Sequence, residues 1–149
     1  MRPTSVKAAD IAALQAALAA EHAAVYGYGI VGAMVTGDTE KLAHADWLAH
    51  QDARDTLEAM LVKLGATPVA ASPAYQLPFA VTGEASAVRL AAALEDGVTQ
   101  AYLAVVAVSD RTLRSFGALA MQPPANRALA WSGSTVAFPG MPTTTTTSA

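Results

Sequence analysis

Cysteine is absent from the 149-residue chain. That removes disulfides, thiolate metal sites, iron–sulfur clusters and a cysteine nucleophile, and it fits the cytoplasmic location expected here. Charge is scarce. Asp, Glu, Lys and Arg make up 14% of the residues and the net charge is −3. The nine Lys and Arg are scattered, so the basic stripe of a nucleic-acid binder is missing and no nucleic-acid partner is expected. No run reaches the ~20 uninterrupted apolar residues of a membrane span, because Glu21, His22, Glu95 and Asp96 break the longest candidates. Residues Met1 to Asp10 include Arg2, Lys7 and Asp10 but no apolar stretch, so neither a signal peptide nor a membrane partner is expected. There is also no Gly-x-x-x-x-Gly-Lys loop, no Gly-x-Ser-x-Gly elbow and no His-Glu-x-x-His pair.

What the chain has is alanine. Hydrophobic residues are 53% of the total and aromatics only 6%, a composition for closely packed helices rather than sheet. Periodicity predicts a first helix from about Ser5 to Val35, with Ile11, Leu14, Leu18, Val25, Gly32 and Val35 on one seam. Gly27, Gly29 and Gly32 would weaken it in isolation and predict a close crossing with a neighbour. A second helix is predicted from Asp38 or Thr39 as N-cap to Lys63-Leu64, with Gly65 at the C′ position. Its seam runs Ala43, Trp47, His50, Arg54, Leu57, Leu61, Leu64.

Pro68, Pro73 and Pro78 make Thr67 to Phe79 an extended connection. Tyr75, Leu77 and Phe79 should pack on the bundle's side. A third helix, capped by Thr82, is predicted to run to about Val108 with Val88, Ala91, Glu95, Val98, Tyr102 and Val105 on its seam. Ser109-Asp110 then offers a tight turn and a new N-cap. The fourth helix, Arg111 to about Trp131, should kink or break at Pro123-Pro124. The fold class is therefore all-α: a four-helix bundle with one long crossover between helices 2 and 3 and a kinked or broken helix 4. Residues 1–133 form the bundle, and 134–149 an irregular tail from which Phe138 would dock.

The informative residues are the ionisable ones on apolar seams. Glu21, His50 and Glu95 each fall near the middle of a helix, so a bundle brings them to one height. Arg54 lies one turn from His50. Buried charge must be paired or coordinated, so these groups should find each other, with Tyr26 and Tyr102 as polar neighbours. His22 and His44 fall off the seams and are expected at the boundary and in solvent. Trp47 and Trp131 are expected as packing anchors, and Tyr28 as a core aromatic.

The runs Glu21-His22-Ala23-Ala24-Val25-Tyr26-Gly27-Tyr28-Gly29, His50-Gln51-Asp52-Ala53-Arg54-Asp55, Pro73-Ala74-Tyr75-Gln76-Leu77-Pro78-Phe79 and Phe138-Pro139-Gly140 resemble those of a ferritin-like family of unknown function, the DUF4439 group, largely from actinobacteria. The resemblance implies the ferritin-like fold and brings no established activity. The wider superfamily binds two metals with one Glu from each of two helices and a Glu-x-x-His pair from each of the other two. Glu21, Glu95 and His50 match part of that set. Trp47 stands where His50's Glu partner would be, Asp46 is displaced by one residue, and Gln122, Pro123, Pro124 and Asn126 leave the fourth helix without ligands. Three readings of the seam residues stay open: a buried ion-pair network, a degenerate Fe, Mn or Zn site on Glu21, His50 and Glu95, or a small-molecule pocket. For the whole chain the expectation is a non-catalytic domain acting as a homo-oligomer, a dimer, or binding a partner through the Ala/Gly-rich face of the first helix. A metal-binding protein or oxidoreductase is the alternative. A binder of a small apolar ligand at the Pro123-Pro124 break is a third.

Overall fold

The computed structural model describes residues 6–134, 136 and 138–141. It is helical, in the order α1 (Ala8–Met34), α2 (Gly37–Lys63), α3 (Glu84–Val106), α4 (Arg111–Ala120) and α5 (Gln122–Ser132). The helices α4 and α5 together make the fourth rod of the bundle, broken at Met121, two residues before Pro123-Pro124. A proline donates no backbone N–H, so the pair starts a helix more easily than it continues one.

Local chemistry sets the ends. Gly65 follows α2 in the left-handed region at φ +78°, the C′ conformation that a residue with a Cβ resists. The α4 cap is Asp110, whose carboxylate accepts from Leu113 N at 2.9 Å. Two caps lie one to three residues from their predicted places: Thr36 precedes α2 and Gly83 precedes α3. At Gly83 the hydroxyl of Ser86 accepts from the backbone N–H of both Thr82 and Gly83, which moves the cap past Thr82. Asp10 ties the start of α1 to the α3–α4 turn by accepting from Ser109 N and Oγ, each at 2.9 Å.

Helix α1 lies between α2 and α3 and runs antiparallel to both: Tyr28 pairs with Glu95 and Asp46, and Asp10 with Ser109. So α2 and α3 are parallel, and their link must travel the length of the bundle. It does so along α1. Gln15 grips it at Thr67 O and Val69 N, His22 Nε2 donates to Val69 O at 3.0 Å, and Tyr75 packs on Tyr26 with ring centroids 5.5 Å apart. Leu77 and Phe79 pack further on, against the apolar cluster that includes Val31. His22 is thus a buried hydrogen-bonder at the link, and His44 is exposed beside Trp47. Of the three α1 glycines, Gly27 alone marks a close approach: a Cβ there would lie 2.5 Å from Leu94 Cδ1, whereas Gly29 and Gly32 face open space. Phe138 does not dock; it is exposed, and Gly140 meets α3 at Thr99 instead.

Two apolar clusters fill the interior. Leu14, Leu18, Leu57, Leu61, Val105 and Leu113 occupy one end, and Val31, Val35, Ala43, Leu90, Ala91 and Trp131 the other. Between them lies a polar layer. Among the described residues no helix is long and apolar enough to cross a membrane.

Candidate functional site

Each residue of the polar layer is delivered by helical spacing from an apolar neighbour. Glu21 follows Leu14 and Leu18 on α1, His50 precedes Leu57 and Leu61 on α2, and Glu95 stands between Ala91 and Val98 on α3. Glu21 and Glu95 are at most 1% exposed and His50 is fully buried. The imidazole stands between the two carboxylates: Nδ1 donates to Glu21 Oε2 at 2.6 Å and Nε2 to Glu95 Oε1 at 3.0 Å. Burial by itself would lower the His50 pKa, but the hydrogen bonds and charges of both glutamates outweigh it and raise it to about 9. His50 is therefore an imidazolium at neutral pH, with both N–H groups donated.

The layer extends from both ends of this bridge. Tyr102 donates to Glu21 Oε1 at 2.7 Å. Tyr28 donates to Glu95 Oε1 at 2.6 Å, and its oxygen lies 3.4 Å from Asp46 Oδ2, which accepts from Trp131 Nε1 at 2.8 Å. Burial raises both tyrosines and, despite the Trp131 hydrogen bond, also Asp46. Arg127 of α5 donates Nε to Glu95 Oε1 at 2.9 Å. Against the burial that would raise it, His50 and Arg127 hold Glu95 below the ordinary carboxylate range. Glu95 Oε1 thus takes three donors, while its Oε2 is buried without a partner among the described residues.

The sequence places Glu21, His50, Glu95 and Tyr102 together, and the structure does the same. Two other residues do not join them. Arg54 points outward to Asp55, 2.8 Å from its carboxylate, because the long stem lets the guanidinium reach water. Tyr26 sits two residues from Tyr28, on the opposite side of the helix, and packs on Tyr75 of the link. The guanidinium that meets Glu95 comes instead from the fourth rod, where the sequence offers no ligand in the middle of the helix. Asp46, Tyr28 and Trp131 also belong to the layer. Two of these carry a spacing signal: Tyr28 lies two turns from Glu21, and Asp46 one turn before His50. Arg127 carries none, because the break at Met121 resets the helical register before it.

A family model for a domain of unknown function, DUF4439, matches residues 13–143. The chain belongs to the DUF4439 family. Among solved structures, this DUF4439 domain is similar to a conserved hypothetical protein from Mycobacterium tuberculosis, with 38% identity and a TM-score of 0.80 over 84% of this chain and 96% of that one. No curated protein matches it.

The donors of the DUF4439 domain do not fit the two-metal set of the ferritin-like resemblance. The His50 ring stands between the carboxylates with a nitrogen toward each, so Glu21 and Glu95 are held on opposite edges of the ring and both ring nitrogens are already engaged. The Arg127 cation already occupies Glu95 Oε1, leaving Oε2 as its one open oxygen. Among the described residues no three or more His, Asp or Glu side chains converge to hold a metal ion.

Two outcomes are expected. Removing Arg127 breaks a buried pair, so Arg127→Ala should cost about 3 kcal/mol or more in urea unfolding, and Arg54→Ala under about 0.5 kcal/mol. A cost for Arg127→Ala no larger than that for Arg54→Ala would contradict the pair. Because the folded His50 pKa is raised from 6.5 to about 9, its stabilisation is complete below pH 6.5 and is lost as pH rises through about 9. The urea midpoint should fall over that window in the native sequence and stay level in His50→Gln; a level native profile would contradict the bridge.

Proposed function

We propose that this domain is a non-catalytic helical module that works as a homodimer, paired through the outer face of α1. The observation that carries the proposal is the charge on that helix. From Ile11 to Met34 its sole ionisable groups of acidic or imidazole type are Glu21 and His22, and both are buried. The exposed positions are Ala12, Ala16, Ala19, Gly29, Ala33 and Met34. The link covers the middle of this face at Gln15, His22 and Tyr26, and the positions left exposed beside it carry no charge, which suits a partner better than water. Side chains this small let a second helix approach closely, and a two-fold axis would set the same face on its copy.

The polar layer supports the non-catalytic part. Its carboxylates, imidazole and phenols are spent mainly on one another, which suits a role in fixing helix register. The alternative, a metal-binding protein or oxidoreductase using Fe, Mn or Zn, draws on Glu21, His50 and Glu95 but meets carboxylates held apart by the imidazole, and Arg127 on one of them.

Light scattering of the purified protein should give twice the 15.2 kDa chain mass, and Ala16→Glu should give the monomer with its helix content intact. A monomeric native protein would overturn the dimer. One equivalent of iron, manganese or zinc in elemental analysis, lost in His50→Ala, would favour the alternative.

A further inference from the structure

We infer that the cleft between α2 and the α4–α5 break binds a small anionic amphiphile, its carboxylate on the free edge of Arg127 and its apolar part against the surrounding walls. The cleft exists because the bundle is not closed evenly. Helix α2 packs closely on α1, while α4 and α5 pack on α3, so α2 faces the broken fourth rod across a gap. That gap holds about 360 Å³, within the ~300–1,000 Å³ of small-molecule sites. Its walls are Ala49 and Ala53 on one side and Phe116, Ala120, Pro123 and Pro124 on the other. Small side chains on α2 leave the room, and the proline break sets the opposite wall.

The charge preference comes from the donors left over. Arg127 lines the cleft and is largely buried, with 19% of its side chain exposed. Its Nε is tied to Glu95, and neither Nη has a protein acceptor among the described residues. A guanidinium fixed at Nε presents its remaining edge as a fork that matches a carboxylate. Among the described residues Glu95 is the one acid hydrogen-bonded to Arg127, and Asp46 attracts it only through space. Glu21 at the floor already accepts from His50 and Tyr102 through its two oxygens, and Asp52 stands exposed at the rim. The inference is independent of dimerisation, which concerns the outer face of α1.

Titration calorimetry with octanoate, 1-octanol and octylammonium, with the methyl signals of Ala49, Ala53 and Ala120 followed by NMR, tests it. Octanoate should bind once per chain, about tenfold or more tighter than 1-octanol, the scale of a charge-assisted hydrogen bond. Octylammonium should bind no better than 1-octanol. Arg127→Gln should reduce octanoate to the level of 1-octanol. Should that variant fail to fold, Ala53→Leu, which fills the cleft and leaves the Arg127–Glu95 pair in place, should weaken octanoate by about tenfold or more. Equal binding of octanoate and 1-octanol, preference for octylammonium, no shift of the three methyls, or unchanged binding in Ala53→Leu would each overturn the inference.

Discussion

A protonated imidazole held between two carboxylates, all three out of water, is the contact on which the rest of the bundle depends. Each glutamate alone in that position would carry a desolvation cost of several kcal/mol. His50 relieves both, and only when α1, α2 and α3 stand at one axial register. A slide of any helix by one turn, about 5.4 Å, would strand at least one charge. Apolar contacts are non-directional and discriminate less sharply between one register and the next. The polar layer therefore adds register specificity to the packing of the two apolar clusters on either side of it.

The layer also explains the broken fourth rod. With His50 shared between Glu21 and Glu95, and Asp46 close by, the acidic side is balanced by the Arg127 guanidinium. Arg127 enters from α5, and Trp131 one turn later reaches Asp46. The proline break lets α5 take its own course, so these two side chains arrive over α2 and α3 while the gap beside α2 stays open. The bundle's closure and its cleft have one cause.

Most of the architecture was legible in the sequence because it rests on local signals. Gly65, Asp110, the three prolines of the link and Pro123-Pro124 act within a few residues of themselves, and each does what its chemistry requires. Glu21, His50 and Glu95 were legible because a buried charge on an apolar seam needs a partner at its own height. The errors came where a residue's direction depends on tertiary context. Arg54 has the right spacing but a stem long enough to leave the core, and nothing in its sequence neighbourhood says that Arg127 has taken its place. Tyr26 and Tyr28 differ by two positions, hence by about 200° around a helix, and composition alone cannot choose between them. Gly29 and Gly32 look like packing glycines and face open space.

Membership of a family of unknown function leaves the chemistry to be judged from the site, and the site is organised around a charged histidine rather than an open coordination position. Nitrogen-15 NMR of the His50 ring tests this most directly. At pH 7.5 both ring nitrogens should show the protonated imidazolium pattern and titrate together near the raised pKa of about 9. A neutral tautomer at pH 7.5, with one bare ring nitrogen, would contradict the account.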